Sequence, residues 1–191
     1  MRNARLKLSN QPMSGAHDLH VPVTDADHRR GALRPKVTLV EYADFGSTAR
    51  RAAEPAVRLL LAANSETLQL VYRHCPMQFA DPHALVAAEA AEAAAAQGKF
   101  WEMQDALLKE RASLSRAALN QAAEALGPDI ALFKSSLDDE IYRQRVRESE
   151  EGGAKSHLHA SPEFFVNGME CDVSFGMGHL EGAIRAALAR A

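Results

Sequence analysis

The stretch from Val37 to Pro76 constrains the fold more than any other part of this chain. VTLVEYADF, residues 37–45, is β-branched, aromatic and apolar almost throughout, the composition of a strand buried on both faces. Gly46 and Ser47 break it. TARRAAEPAVRLLLAAN then reads as a helix, with Leu59, Leu60 and Ala63 expected to share a face with Ala52, Ala56 and Val57. Pro55 inside it removes one backbone hydrogen bond. TLQLVYRHCP, residues 67–76, is a second strand, with Leu68, Leu70 and Tyr72 on one face and Val71 on the other. A strand, a helix and a strand joined by short loops close as a right-handed crossover, so the two strands are expected to be parallel.

From Pro82 to about Lys155 the pattern is helical. PHALVAAEAAEAAAAQ is rich in alanine, the best helix former. KFWEMQDALLKE follows, with Phe100, Met103 or Gln104, and Leu107 on one side. Ser115 is the expected N-cap of the next helix and Gly127-Pro128 its stop. Two more helical segments follow, and Gly152-Gly153 is expected to end the run. PEFFVNGMECDVSF reads as a hairpin turning at Asn167-Gly168. GHLEGAIRAALARA closes the chain as an amphipathic helix, with Leu180, Ile184 and Leu188 in register. The expected organisation is an extended N-terminal arm (1–34), an α/β domain in two pieces (35–81 and 156–191), and a helical subdomain (82–155) inserted between them.

The net charge of −3 over 191 residues gives no basic field for nucleic acid. No apolar run is long enough for a membrane helix, so no membrane insertion is expected. The N-terminus carries basic residues without an apolar segment after them, unlike a secretory signal. A cytoplasmic location is expected, or a periplasmic one if a leader has been removed.

In this order, β-α-β, helical insert, β-β-α, the chain resembles the DsbA-like branch of the thioredoxin superfamily over about residues 35–190. The resemblance lies in VTLVEYADF, Ala53-Glu54-Pro55, YRHCP followed by PHA, AAEAAEAAAAQGKFWEMQDALL, and ASPEFFVNG. It implies a thioredoxin fold with a four-stranded mixed sheet in the order 2-1-3-4. It also implies a cis bond at Ser161-Pro162, in a loop beside the first helix, and a groove there for an extended thiol substrate. In the family the first helix opens on Cys-x-x-Cys. Here those positions carry Ser47 and Arg50. A serine hydroxyl forms no disulfide, and an arginine resolves none, so dithiol exchange is unavailable at this site.

Three functions remain open on the sequence. The first is a binding module with a degenerate active site, holding an extended peptide or a small thiol at Gly46, Ser47, Thr48, Ser161 and Pro162. Arg50, with Ser47 and the helix N-terminus, would there form an anion site; otherwise Arg50 and Arg51 are two solvated arginines. The second is a glutathione-dependent enzyme similar to the kappa-class transferases, with Ser47 stabilising the glutathione thiolate. The third is an oxidoreductase working through Cys75. Cys75 and Cys171, the two cysteines of the chain, are expected on opposite edge strands, too far apart to pair. His74, His83, His157 and His159 show no compact ligand spacing, so no metal is expected. No cofactor other than glutathione is implied, and a Ser47 hydrolytic triad lacks its Gly-x-Ser-x-Gly elbow.

Overall fold

The computed structural model describes residues 18–76, 81–109 and 113–191; the first half of the expected arm, 1–17, lies outside them. The elements are β1 (His28–Gly31), β2 (Val37–Ala43), α1 (Thr48–Ala63), β3 (Leu68–His74), α2 (Ala84–Ala95), α3 (Phe100–Leu107), α4 (Arg116–Leu126), α5 (Ile130–Asp138), α6 (Arg143–Lys155), β4 (Glu163–Val166), β5 (Met169–Cys171) and α7 (Gly178–Leu188). This is a thioredoxin fold, an α/β architecture on a mixed sheet.

β2 and β3 are parallel neighbours with Leu39 opposite Leu70, as the crossover requires. β4 runs antiparallel to β2, and β5 to β4. Asn167 and Gly168 turn that hairpin with φ of 50° and 84°, the left-handed geometry that suits the twist of the flanking strands. Ser115 caps α4 through the Ala118 N–H, and Gly127 ends it at φ 77°.

The sheet has five strands rather than four, in the order β1-β3-β2-β4-β5. The added strand comes from the arm: His28–Gly31 pairs antiparallel with β3, His28 opposite Tyr72. Four residues with an alternating half-buried pattern were too short to stand out in a polar segment. Preceding residues are held by Arg73, whose guanidinium donates to the Val21 and Pro22 carbonyls (2.7 and 2.8 Å), the Tyr42 hydroxyl (2.9 Å) and Asp27.

One face of the sheet, through Val37, Leu39, Leu68, Leu70, Phe164 and Val166, packs on α1 and α7. The other, through Val40, Tyr42, Val71 and Phe165, is covered by Leu19, Val23 and Leu158. The inserted helices α2–α5 build their own core around Ala87, Ala91, Met103, Leu119 and Phe133, continuous with Phe45 and Tyr72 at the end of the sheet.

Two local expectations are corrected. Of the face expected for α1, Val57 is buried and Leu60 packs half-buried on the core, but Leu59 is 70% exposed, and Arg50 and Ala53 are buried beside Val57 instead. α6 does not stop at Gly152-Gly153 but runs through them to Lys155. A Cβ on Gly153 would stand 2.4 Å from Leu158 Cδ1, and one on Gly152 3.1 Å from Val21 Cγ2. These glycines let the helix approach the sheet. Among the described residues no helix is long and apolar enough to cross a membrane.

Candidate ligand groove

Strand β2 ends where α1 begins, and the cis Ser161–Pro162 peptide lies alongside. Ser47 joins the two. As N-cap of α1 its Oγ accepts the Arg50 N–H (3.1 Å), and its own hydroxyl donates to the Ser161 carbonyl (2.6 Å). Ser161 in turn accepts the Asp44 N–H on its Oγ (2.8 Å), while Asp44 Oδ1 accepts the Gly46 N–H (2.7 Å). Gly46 is pinned further: a Cβ there would lie 2.8 Å from Asp81 Cβ. Thr48 is exposed at the first helical position, where backbone N–H groups have no intrahelical acceptor. The structure thus brings Gly46, Ser47, Thr48, Ser161 and Pro162 together.

Arg50 is placed elsewhere. Its side chain is fully buried, with Nε 2.6 Å from Glu41 Oε1 and Nη1 hydrogen-bonded to Glu54. It is neither solvated nor available to a ligand. The reason lies in β2: Glu41 shares the α1-facing parity of Val37 and Leu39, so an acid sits beneath the helix and needs a cation. Contact with Glu41 is a charge contact without aligned hydrogen bonds, since neither Glu41 oxygen nor Arg50 Nε or Nη2 has one. Burial pushes the Glu41 carboxyl up to about 7 against the pull of Arg50. Burial also works against the Arg50 charge, but the Glu41 and Glu54 carboxylates outweigh it and raise its pKa. Arg51 is half-buried and donates to the Phe45 and Gly46 carbonyls. Glu41 is a residue the sequence reading misses at this site, and its signal is a lone acid within an apolar strand.

A groove of about 350 Å³ opens beside Ser47, lined by Ala49, Ala52, Pro162, Val173 and Met177 among others. Its walls are mostly apolar and come from α1, the cis-proline loop and the segment leading into α7.

Cys75 and Cys171 are free thiols. They belong to opposite sides of β2 and β4, three strand spacings apart, roughly 14 Å against a disulfide limit of about 7 Å. The Cys75 thiol is pushed up to about 11 by burial and by the Glu150, Asp44 and Glu163 carboxylates. Such a thiol is nearly all protonated at neutral pH and a poor nucleophile.

His74 meets His28 of β1 and Glu92 of α2: both imidazole Nε2 atoms lie against Glu92 Oε1, at 2.7 Å for His28 and 2.9 Å for His74. Burial lowers the His74 pKa, opposed by its bond to Glu92. Burial would raise the Glu92 carboxyl, but the two histidines hold it well below the usual range.

The fold is that of the thioredoxin class. The chain belongs to the thioredoxin family, whose model matches residues 23–186. Among curated proteins it is 43% identical over 176 residues to a Na(+)/H(+) antiporter NhaA 1 of Salinispora arenicola, covering 92% of this chain and 27% of that protein. It is 37% identical over 144 residues to a Na(+)/H(+) antiporter NhaA of Herminiimonas arsenicoxydans, covering 75% and 23%. The chain thus spans about a quarter of the length of these relatives. Among solved structures it resembles a thioredoxin-like oxidoreductase from Silicibacter pomeroyi (TM-score 0.76, 24% identity, 86% of this chain and 94% of that one). It also resembles oxidised BdbD from Bacillus subtilis (TM-score 0.78, 16% identity, 91% and 98%). At these identities the two structures support the fold.

Proposed function

We propose that this chain is a DsbA-like thioredoxin module with a degenerate active site, which binds an extended apolar peptide or thiol ligand and does not exchange disulfides. The observation that carries the reading is the employment of both substituted positions in the architecture. Ser47 caps α1 and holds the cis-proline loop; Arg50 neutralises Glu41 and Glu54 beneath it. The groove beside them stays open and apolar, the form that suits strand-like capture of a peptide backbone with side chains in a shallow pocket. The named relatives are antiporters of which this stretch is about a quarter, which favours an accessory module over a free-standing redox enzyme.

The glutathione reading stands second. The Ser47 hydroxyl already donates to Ser161, so a thiolate would have to take that donor from a carbonyl. The Cys75 reading is weakest, given its raised pKa.

The test pairs two measurements on the reduced protein. Insulin reduction and oxidation of a dithiol peptide should show no turnover above background; turnover would overturn the proposal. Calorimetric titration with an acetylated hexapeptide of alternating valine and serine should give saturable heat, reduced at least tenfold by Met177→Asp. Heat with reduced glutathione, lost in Ser47→Ala and absent with the peptide, would transfer the assignment to the transferase reading.

A further inference from the structure

The geometry points to a metal site that is separate from the groove: His28 Nε2, His74 Nε2 and Glu92 Oε1 form a three-ligand site for a divalent transition cation of the zinc class. The three ligand atoms lie within 4.8 Å of one another. They come from β1, β3 and α2, three elements that register and packing bring to one point. His28 pairs with Tyr72, so His74, two residues on, lies on the same sheet face. Glu92 projects onto that face from α2.

Two imidazoles and a carboxylate suit zinc, cobalt or nickel rather than magnesium or calcium. The imidazoles converge on one oxygen instead of sharing the two that a carboxylate offers. Glu92 Oε2 is taken by Arg145 Nε at 2.5 Å, and Arg145 Nη2 donates to the Ala26 carbonyl and lies 3.4 Å from His28 Nε2, a contact that a bound cation replaces. An outer donor on the second carboxylate oxygen is the support that ligating carboxylates usually carry. Metal–ligand bonds of about 2.0–2.2 Å in tetrahedral geometry require ligand atoms roughly 3.3 Å apart. The present 2.7 and 2.9 Å contacts need to open by about half an ångström.

Access is also provided. The side chains are 16% exposed for His28, 3% for His74 and 4% for Glu92, and a cavity of about 160 Å³ is bordered by all three. It gives a path in and room for a water as fourth ligand, the arrangement of sites with three protein ligands. Asp27 and Glu148 line the same cavity and offset the Arg145 and Arg73 charges there. Phe100, stacked on the His28 ring at 3.5 Å between centroids, fixes the ring plane.

The experiment is titration of the purified full chain with zinc chloride by calorimetry, repeated with cobalt(II) by visible absorption. The expected result is uptake of one ion per chain with the ligand-field bands of four- or five-coordinate cobalt. Affinity should fall at least about tenfold in His28→Gln and in Glu92→Gln, and be unchanged in His157→Ala/His159→Ala. Should the first two variants not fold, histidine-ring NMR of the wild-type chain decides instead: zinc should shift the His28 and His74 rings before any other. Absence of stoichiometric uptake overturns the site, as does uptake that leaves the His28 and His74 rings unmoved or that survives His28→Gln undiminished. None of these outcomes bears on peptide binding in the groove.

Discussion

The Ser47 hydroxyl hydrogen-bonds the Ser161 carbonyl at 2.6 Å while its oxygen caps α1 through the Arg50 N–H. One side chain therefore ties the start of a helix to a loop 114 residues away in sequence. Ser47→Ala should lose the cap and the tie together, at a cost of about 1–2 kcal/mol. For a chain of this size that lowers Tm by roughly 3–6 °C. Thermal unfolding measures it; a Tm within about 1 °C of wild type would mean the bond contributes nothing net.

Arg50→Met should destabilise with a distinctive pH dependence. Glu41 is raised in the fold from its ordinary 4.5 to about 7. Its contribution to stability is therefore complete below about pH 4.5 and declines as pH rises, the decline ending near pH 7. Removing Arg50 takes away the cation that limits the rise, so the decline continues past pH 7. The deficit should reach about 3 kcal/mol or more at about pH 8, as for other broken buried pairs, and be smaller at about pH 5. Urea unfolding at both values tests this, and an equal deficit at both would remove Glu41 as the cause. Arg50→Met with Glu41→Gln should recover much of the loss.

Cys75 should react slowly with a disulfide reagent near neutral pH, its rate climbing toward about pH 11, where the thiolate forms. A cysteine at the helix N-terminus is expected to behave oppositely, because the first turn favours an anion. Ser47→Cys should thus give the chain a fast-reacting thiol while Cys75 stays slow. Stopped-flow thiol titration separates the two; a Cys75 thiol as fast as the one introduced by Ser47→Cys would revive the one-thiol oxidoreductase reading.

Arg73→Met should loosen the arm. It removes donors from the Val21 and Pro22 carbonyls and a partner from Asp27. Burial raises the Asp27 carboxyl, but the Arg73 hydrogen bonds and charge bring it below its ordinary value, so in wild type this contribution is lost as pH falls through the lowered value. At neutral pH the variant should show faster amide exchange over residues 21–31, with the rates in β2 unchanged. Slow exchange in the arm would place its anchorage in β1 pairing alone.

Much of this could be read along the chain. Apolar runs of strand length, the alanine richness of α2, the apolar register of α7, Ser115, Gly127 and Asn167-Gly168 are local signals, and each produced the element it encodes. Absence of Cys-x-x-Cys is a fact of the sequence too, and the proposal that this chain exchanges no disulfides starts from it. The tertiary structure decided what depends on partners distant in the chain. Arg50 looked like a surface cation because helical periodicity places residues relative to one another, not to the acid beneath them. His28 became a β-strand residue, and a neighbour of His74 and Glu92, only through antiparallel register with β3 and packing of α2. Gly152 and Gly153 read as a helix stop in isolation; against Tyr42 and Leu158 they are the residues small enough for contact. Backbone preference is carried by neighbours a few residues apart, whereas buried charges, side-chain clusters and close approach are set by which surfaces the fold presses together.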